Sequence, residues 1–211
     1  MCWKRLMGLT GAALLVIAAS ASAQPYPTKP IRMIVASAPG GAPDILARTV
    51  AQKLSDSLGQ QVVIDNRPGA SGLIGAELAA KAAPDGYTLF LGTTTLYAIL
   101  PNLKSRLTYD PVRDFVSITQ IAVASNVLVV NPSLSAKSVA ELVLLAKSRP
   151  GSLNYASAGS GTPAHLAGAM LNVMAGIDMT HVPYKGAGPA LMDVIAGQVQ
   201  IIITSPIAAG P

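Results

Sequence analysis

The chain has 211 residues, 51% of them hydrophobic and only 12% charged. That is enough apolar material to bury a core and excludes a disordered chain; at about 100–200 residues per domain, it allows one large domain or two small ones. The formal charge is +5, but Lys4 and Arg5 supply two of the positives and no basic run follows them, so the charge gives no indication of nucleic acid as a partner.

Met1 to Ala23 has the three parts of a secretory signal peptide. Lys4 and Arg5 form the positive start, Leu6 to Ala19 the apolar stretch, and Ala21-Ser22-Ala23 the small-residue cleavage site. The apolar stretch is shorter than the ~20 residues that span a bilayer. The expectation is therefore a signal peptide over 1–23, a mature chain starting at Gln24, and a soluble product in the periplasm. The single cysteine is Cys2, so the mature chain would rely on its core rather than on disulfides.

The mature sequence alternates strand and helix signals. Pro30 to Ala36 predicts a strand and Ser37 to Gly41 a turn. Pro43 suits a first helical turn, and Leu46, Val50, Leu54 and Leu58 recur at i+4 up to Gly59. Gln61 to Asp65 reads as a second strand, Arg67-Pro68-Gly69 as a turn, Ile74 to Ala82 as a helix, and Tyr87 to Leu91 as a third strand. This β-α-β-α-β order predicts a parallel, helix-covered sheet.

Residues 92–114 read as a loop with a short helix, leading into a second lobe. Phe115 to Ala124 and Val127 to Val130 predict strands, and Ser138 starts a helix ended by Pro150-Gly151. Leu153 to Ala156 predicts a strand. The helix after Thr162 is expected to turn Leu166, Met170, Val173 and Met174 inward. Met179 to Val182, Pro189 to Ala196 and Val199 to Ile203 predict strand, helix and strand, with no terminal helix after Pro206. The expected division is an α/β lobe over 24–112 and another over 113–211.

Two small-residue loops stand at strand-to-helix junctions: Ser37 to Asp44, and Ser157 to Pro163. Each sets free amides beside a helix N-terminus, which suits an anion. Ser160 and Thr162 add hydroxyl donors, and Lys185 could pair with an anion. The same residues serve equally as tight turns.

Enzyme motifs are weak. Gly159 to Ala164 matches G-x-G-x-x-A only formally, and Pro163 distorts it. No G-K-[ST] or G-x-S-x-G signature is present. An exported α/β hydrolase using Ser160 and His165 is the alternative, but no acid is identifiable to orient His165. Two histidines without a mature cysteine make a metal site unexpected, and no cofactor is indicated.

Several stretches carry a family resemblance. They include Tyr26 to Arg32, Pro39 to Arg48, Val63 to Ala70, Ala83 to Leu89, Tyr109 to Phe115, Asn154 to Thr162 and His181 to Gly186. As an ordered set they resemble the substrate-binding receptors of tripartite tricarboxylate transporters, the Bug receptors. The resemblance implies a two-lobed periplasmic binding protein, type II-like, that captures a small organic acid and is not an enzyme. It implies a role in transport, with transporter membrane subunits as partners, or in signalling, and a monomer once the chain is complete.

It places Pro39, Gly40, Gly41 and Asp44, with Ser37 of the same loop, on one wall of the ligand site. Gly159, Ser160, Gly161 and Thr162 fall on the other, with His165 and Lys185 nearby, and Thr93 and Thr94 line the first lobe. Members of that family are longer, so the chain is expected to be incomplete at its C-terminus. Where many members have Pro-Phe before the first loop, this chain has Ala36-Ser37, which removes a large apolar wall.

Overall fold

The computed structural model describes residues 25–210. The expected signal peptide and its cleavage point lie outside the described residues. In the first lobe, β1 (Ile31–Val35) lies between β2 (Val62–Asn66) and β3 (Thr88–Leu91), all parallel. Parallel neighbours need crossovers. α1 (Ala42–Leu58) supplies the first, and a left-handed turn at Ala70–Gly72 with α2 (Leu73–Ala80) supplies the second. The predicted order of these five elements matches the structure.

β1 is covered on both faces. Leu46, Ala47, Val50 and Ala51 of α1 pack on Ile31, Met33 and Val35. On the opposite face Ala76, Leu96, Leu100 and Tyr109 form a second cluster with Phe90 and Phe115. Fully burying side chains such as Ile31, Ile34 and Val35 stabilises the sheet by roughly 1.5–3 kcal/mol each, which is why β1 is apolar at nearly every position. Residues 92–104 hold a π-turn over Thr95–Ile99 that runs into α3 (Leu100–Leu103), the short helix expected there.

The second sheet has the order β4-β7-β5-β6. β4 is Val127–Val130, β5 Leu153–Ser157, β6 Met179–Pro183 and β7 Ile201–Thr204. β5 is parallel to β6 and β7, while β4 is antiparallel to β7. α4 (Val139–Ser148) and α5 (Pro163–Ala175) lie on one face, and α6 (Ala187–Ile195) covers the other.

Three expectations are corrected. Phe115 to Ala124 pairs with no strand among the described residues. Phe115 is anchored by stacking on Phe90 at 5.2 Å, but Val116, Ile118 and Val123 are 93%, 80% and 83% exposed. Alternating apolar residues make pairing possible; a hydrogen-bonding neighbour makes a strand.

The expected inward stripe of α5 faces outward: Leu166, Met170, Val173 and Met174 are all exposed. The helix instead presents Ala164 and Gly168 to the sheet, with Leu171 packed at the edge of the same core. A Cβ on Gly168 would overlap the Tyr155 ring, so only a small-residue face allows this close approach. Finally, Pro206–Ala209 forms a one-turn helix, α7, where none was expected.

Candidate binding cleft

The loops that follow β1, β2, β5 and β6 meet at one place, beyond the carboxyl ends of parallel strands. This is where ligands bind in open α/β sheets. The lobes touch there at two backbone carbonyls. The Ala38 amide donates to the Lys185 carbonyl at 3.2 Å, and the Ser71 hydroxyl donates to the Ser160 carbonyl at 2.5 Å. A Cβ on Gly188 would overlap the Pro39 carbonyl, and one on Gly186 would lie 2.9 Å from Ala38. A Cβ on Gly161 would lie 3.0 Å from Leu100. The structure thus brings the Pro39–Gly40 and Gly159–Gly161 loops each against the opposite lobe.

Asp44 has a different place from an open wall. It is buried and accepts from the Gly40 amide at 3.0 Å, Asn66 Nδ2 at 2.9 Å and Arg48 Nε at 3.0 Å. Burial alone would raise its pKa. The hydrogen bonds from Arg48, Gly40 and Asn66 outweigh that and hold it below the usual carboxylate value. Asp44 therefore positions the loop, and Asn66 also donates to the Ser37 carbonyl. Asp44→Ala should leave these buried donors without an acceptor and lower stability by about 1–3 kcal/mol, read as a shift of the urea midpoint. An unchanged midpoint would rule out this positioning role.

The second loop is held by a reciprocal cap. Thr162 is the N-cap of α5: its hydroxyl accepts from the His165 amide and donates to the Gly159 carbonyl. His165 Nδ1 in turn accepts from the Gly161 amide at 3.1 Å. α4 starts in a similar way, with Ser138 accepting from the Glu141 amide and Glu141 accepting from the Lys137 amide. In α5 a histidine takes the place of the capping glutamate.

Below His165 lies His181, with ring centroids 4.1 Å apart. Its Nε2 is 2.7 Å from Ser157 Oγ. Burial, and then the proximity of His165, push the His181 pKa down to about 4.

Ser71 was not foreseen from the sequence, nor was the pairing of Ser157, which opens the second predicted loop, with His181. His181, in the middle of β6, lies opposite Tyr155, two positions before the partner of Ser157 at the end of β5, and only the β5–β6 register brings them together. Ser157 is fully buried and also bonded to Gly159. His165, paired with Ser160 in the hydrolase alternative, instead caps Gly161.

Thr93 is engaged through its carbonyl with Leu96 and Tyr97, while Thr94 and Lys185 are exposed. Two surface hollows, of about 370 and 330 Å³, lie along the first lobe at Arg32–Asp65 and Arg48–Ser55, away from the closed loops. Among the described residues no group of three metal-binding side chains occurs. No described helix is long and apolar enough to cross a membrane.

Comparison with known proteins fits this geometry. The model of the tripartite tricarboxylate transporter family receptor matches residues 46–211. The chain belongs to that family. It is 42% identical over 200 residues to a protein encoded in the tcbD–tcbE intergenic region of a Pseudomonas species, covering 93% of this chain and 59% of the relative.

Among solved structures it is similar to the R. palustris protein Rpa4515 with adipate, at 39% identity and a TM-score of 0.85, covering 88% of this chain and 62% of that one. It is also similar to MatC from Rhodopseudomonas palustris with bound malate, at 31% identity and a TM-score of 0.80, covering 87% and 63%. The chain thus spans about 60% of the length of these relatives. The family and its structural neighbours are substrate-binding receptors, not enzymes.

Proposed function

We propose that this chain is the capturing part of a periplasmic receptor for a small dicarboxylate, delivered to a tripartite tricarboxylate-type transporter. The observation that carries the reading is that the glycine-rich loops after β1 and β5, at the carboxyl ends of their sheets, are each brought against the opposite lobe, the first on the Lys185–Gly188 loop and the second on the Ser71 turn. The amides of Gly40, Gly41, Gly159 and Gly161 already have acceptors within their own loops, so it is the positive N-terminal ends of α1 and α5, with the exposed Ser160, that suit a carboxylate. Relatives of the same fold were solved with adipate and with malate, both dicarboxylates.

In this reading residues 1–23 direct export and are removed, the lobes divide near residue 112, and the receptor works as a monomer. Gly40, Gly41, Gly159 and Ser160 surround the ligand, while Asp44, Thr162 and His165 hold the loops that carry them. The missing Pro-Phe pair leaves room for a longer or more polar acid.

A thermal-shift and calorimetric screen of adipate, malate and related acids tests this. Saturable binding of one acid without a product is the expected result; a ligand present at one hundred times its Kd stabilises by about 2.7 kcal/mol. Turnover of a bound acid, or binding of none in a folded protein, would overturn the reading.

A further inference from the structure

The turn after β2 is unusual in its backbone. Gly69, Ala70, Ser71 and Gly72 have φ of 119°, 48°, 59° and 94°. Glycine adopts such angles freely, whereas Ala70 and Ser71 do so against the clash of their own Cβ atoms. The result is that Ser71 Oγ reaches out of its lobe to the Ser160 carbonyl, 89 positions away. Gly159 makes the approach possible, since a Cβ there would lie 3.1 Å from Ser71 Oγ. The hydrogen bond between the neighbouring pair of loops, from Ala38 to Lys185, is longer and uses only backbone.

We infer that Ser71 is a cross-cleft latch, a hydroxyl presented by a left-handed turn that holds the two lobes together before any ligand arrives. A hydroxyl has one proton to donate, and here it is given to the Ser160 carbonyl. A carboxylate entering between the loops is an acceptor only, so it competes with Ser160 for that proton. The latch therefore favours the shut cleft when empty and is exchanged for the ligand on capture. The purpose of this exchange rests on the receptor reading; the latch itself does not require it.

The test uses no ligand. Spin labels are placed on the exposed helix positions Lys53→Cys and Lys147→Cys of the full chain, with Cys2→Ser, and the distance distribution is measured by pulsed electron resonance. The parent should show one dominant short separation. Ser71→Ala should raise the ratio of open to closed lobes about three- to tenfold, the effect of losing one neutral hydrogen bond.

Ser71→Gly, which relieves the turn and also lacks the hydroxyl, should open the cleft as well. It keeps the test valid if the alanine variant loses its far-UV circular dichroism. Distributions identical to the parent's in the folded variants, or a parent already open, would overturn the latch and leave the receptor reading standing.

Discussion

Acidification from pH 7 to pH 4 should remove about 2 kcal/mol of stability through His181 alone. In the folded chain burial and the neighbouring His165 hold its pKa at about 4, against 6.5 for a free imidazole. The unfolded chain therefore takes up a proton as pH falls through 6.5, while the native chain resists until about 4. Stability is full above that window, declines within it, and levels off below it. Each unit is worth about 1.4 kcal/mol, and the total is reduced to about 2 kcal/mol because the ring is partly exposed and screened.

The groups facing His181 are Tyr155, Ser157 and His165. Asp44, Asp65 and Asp110 are held below their ordinary pKa. Their contribution is kept until pH falls to the carboxylate range, so it leaves most of the window to His181. Urea unfolding at pH 7, 6, 5 and 4 should show this slope in the parent. His181→Gln, which can still bond Ser157, should lose most of it. Parallel curves for the two proteins would exclude His181 as the source.

Gly188→Ala should weaken ligand binding at least tenfold while leaving the melting temperature unchanged or slightly raised. Gly188 lies in the first turn of α6, where alanine is the better helix former by up to about 1 kcal/mol. Within its own lobe the substitution is therefore harmless. Across the cleft the new methyl would overlap the Pro39 carbonyl, with the Pro39 and Gly40 carbonyl carbons at 3.4 and 3.5 Å. Backbone on a pinned loop cannot move aside cheaply, because the Gly40 amide is tied to Asp44.

The lobes must then stand apart by the width of a methyl group, and the ligand loses one wall. Calorimetry with the acid found in the screen, together with a thermal melt, separates the two effects. Full affinity in Gly188→Ala would mean that these loops do not close on the ligand. A lower melting temperature would instead point to damage within the second lobe.

The alternation of short apolar runs with i+4 helical patterns was enough to read the α/β class and nearly every element, because periodicity is a local property of the chain. Gly40, Gly41, Gly159 and Gly161 were legible for the same reason: small residues at strand-to-helix junctions can only form tight loops. The ordered stretches from Tyr26 to Gly186 also identified the family.

What the sequence could not show depends on neighbours far along the chain. α5 turns its bulky residues outward because Tyr155 leaves room only for Gly168 and Ala164, and hydrophobicity ranks residues without knowing how close the sheet will come. Phe115 to Ala124 has strand chemistry and no partner among the described residues. Asp44 changes from a candidate wall residue to a brace once Asn66 and Arg48 are brought beside it. Ser71 carries no signal at all, since neither its type nor its spacing betrays a left-handed angle; only the meeting of two lobes gives that hydroxyl something to hold.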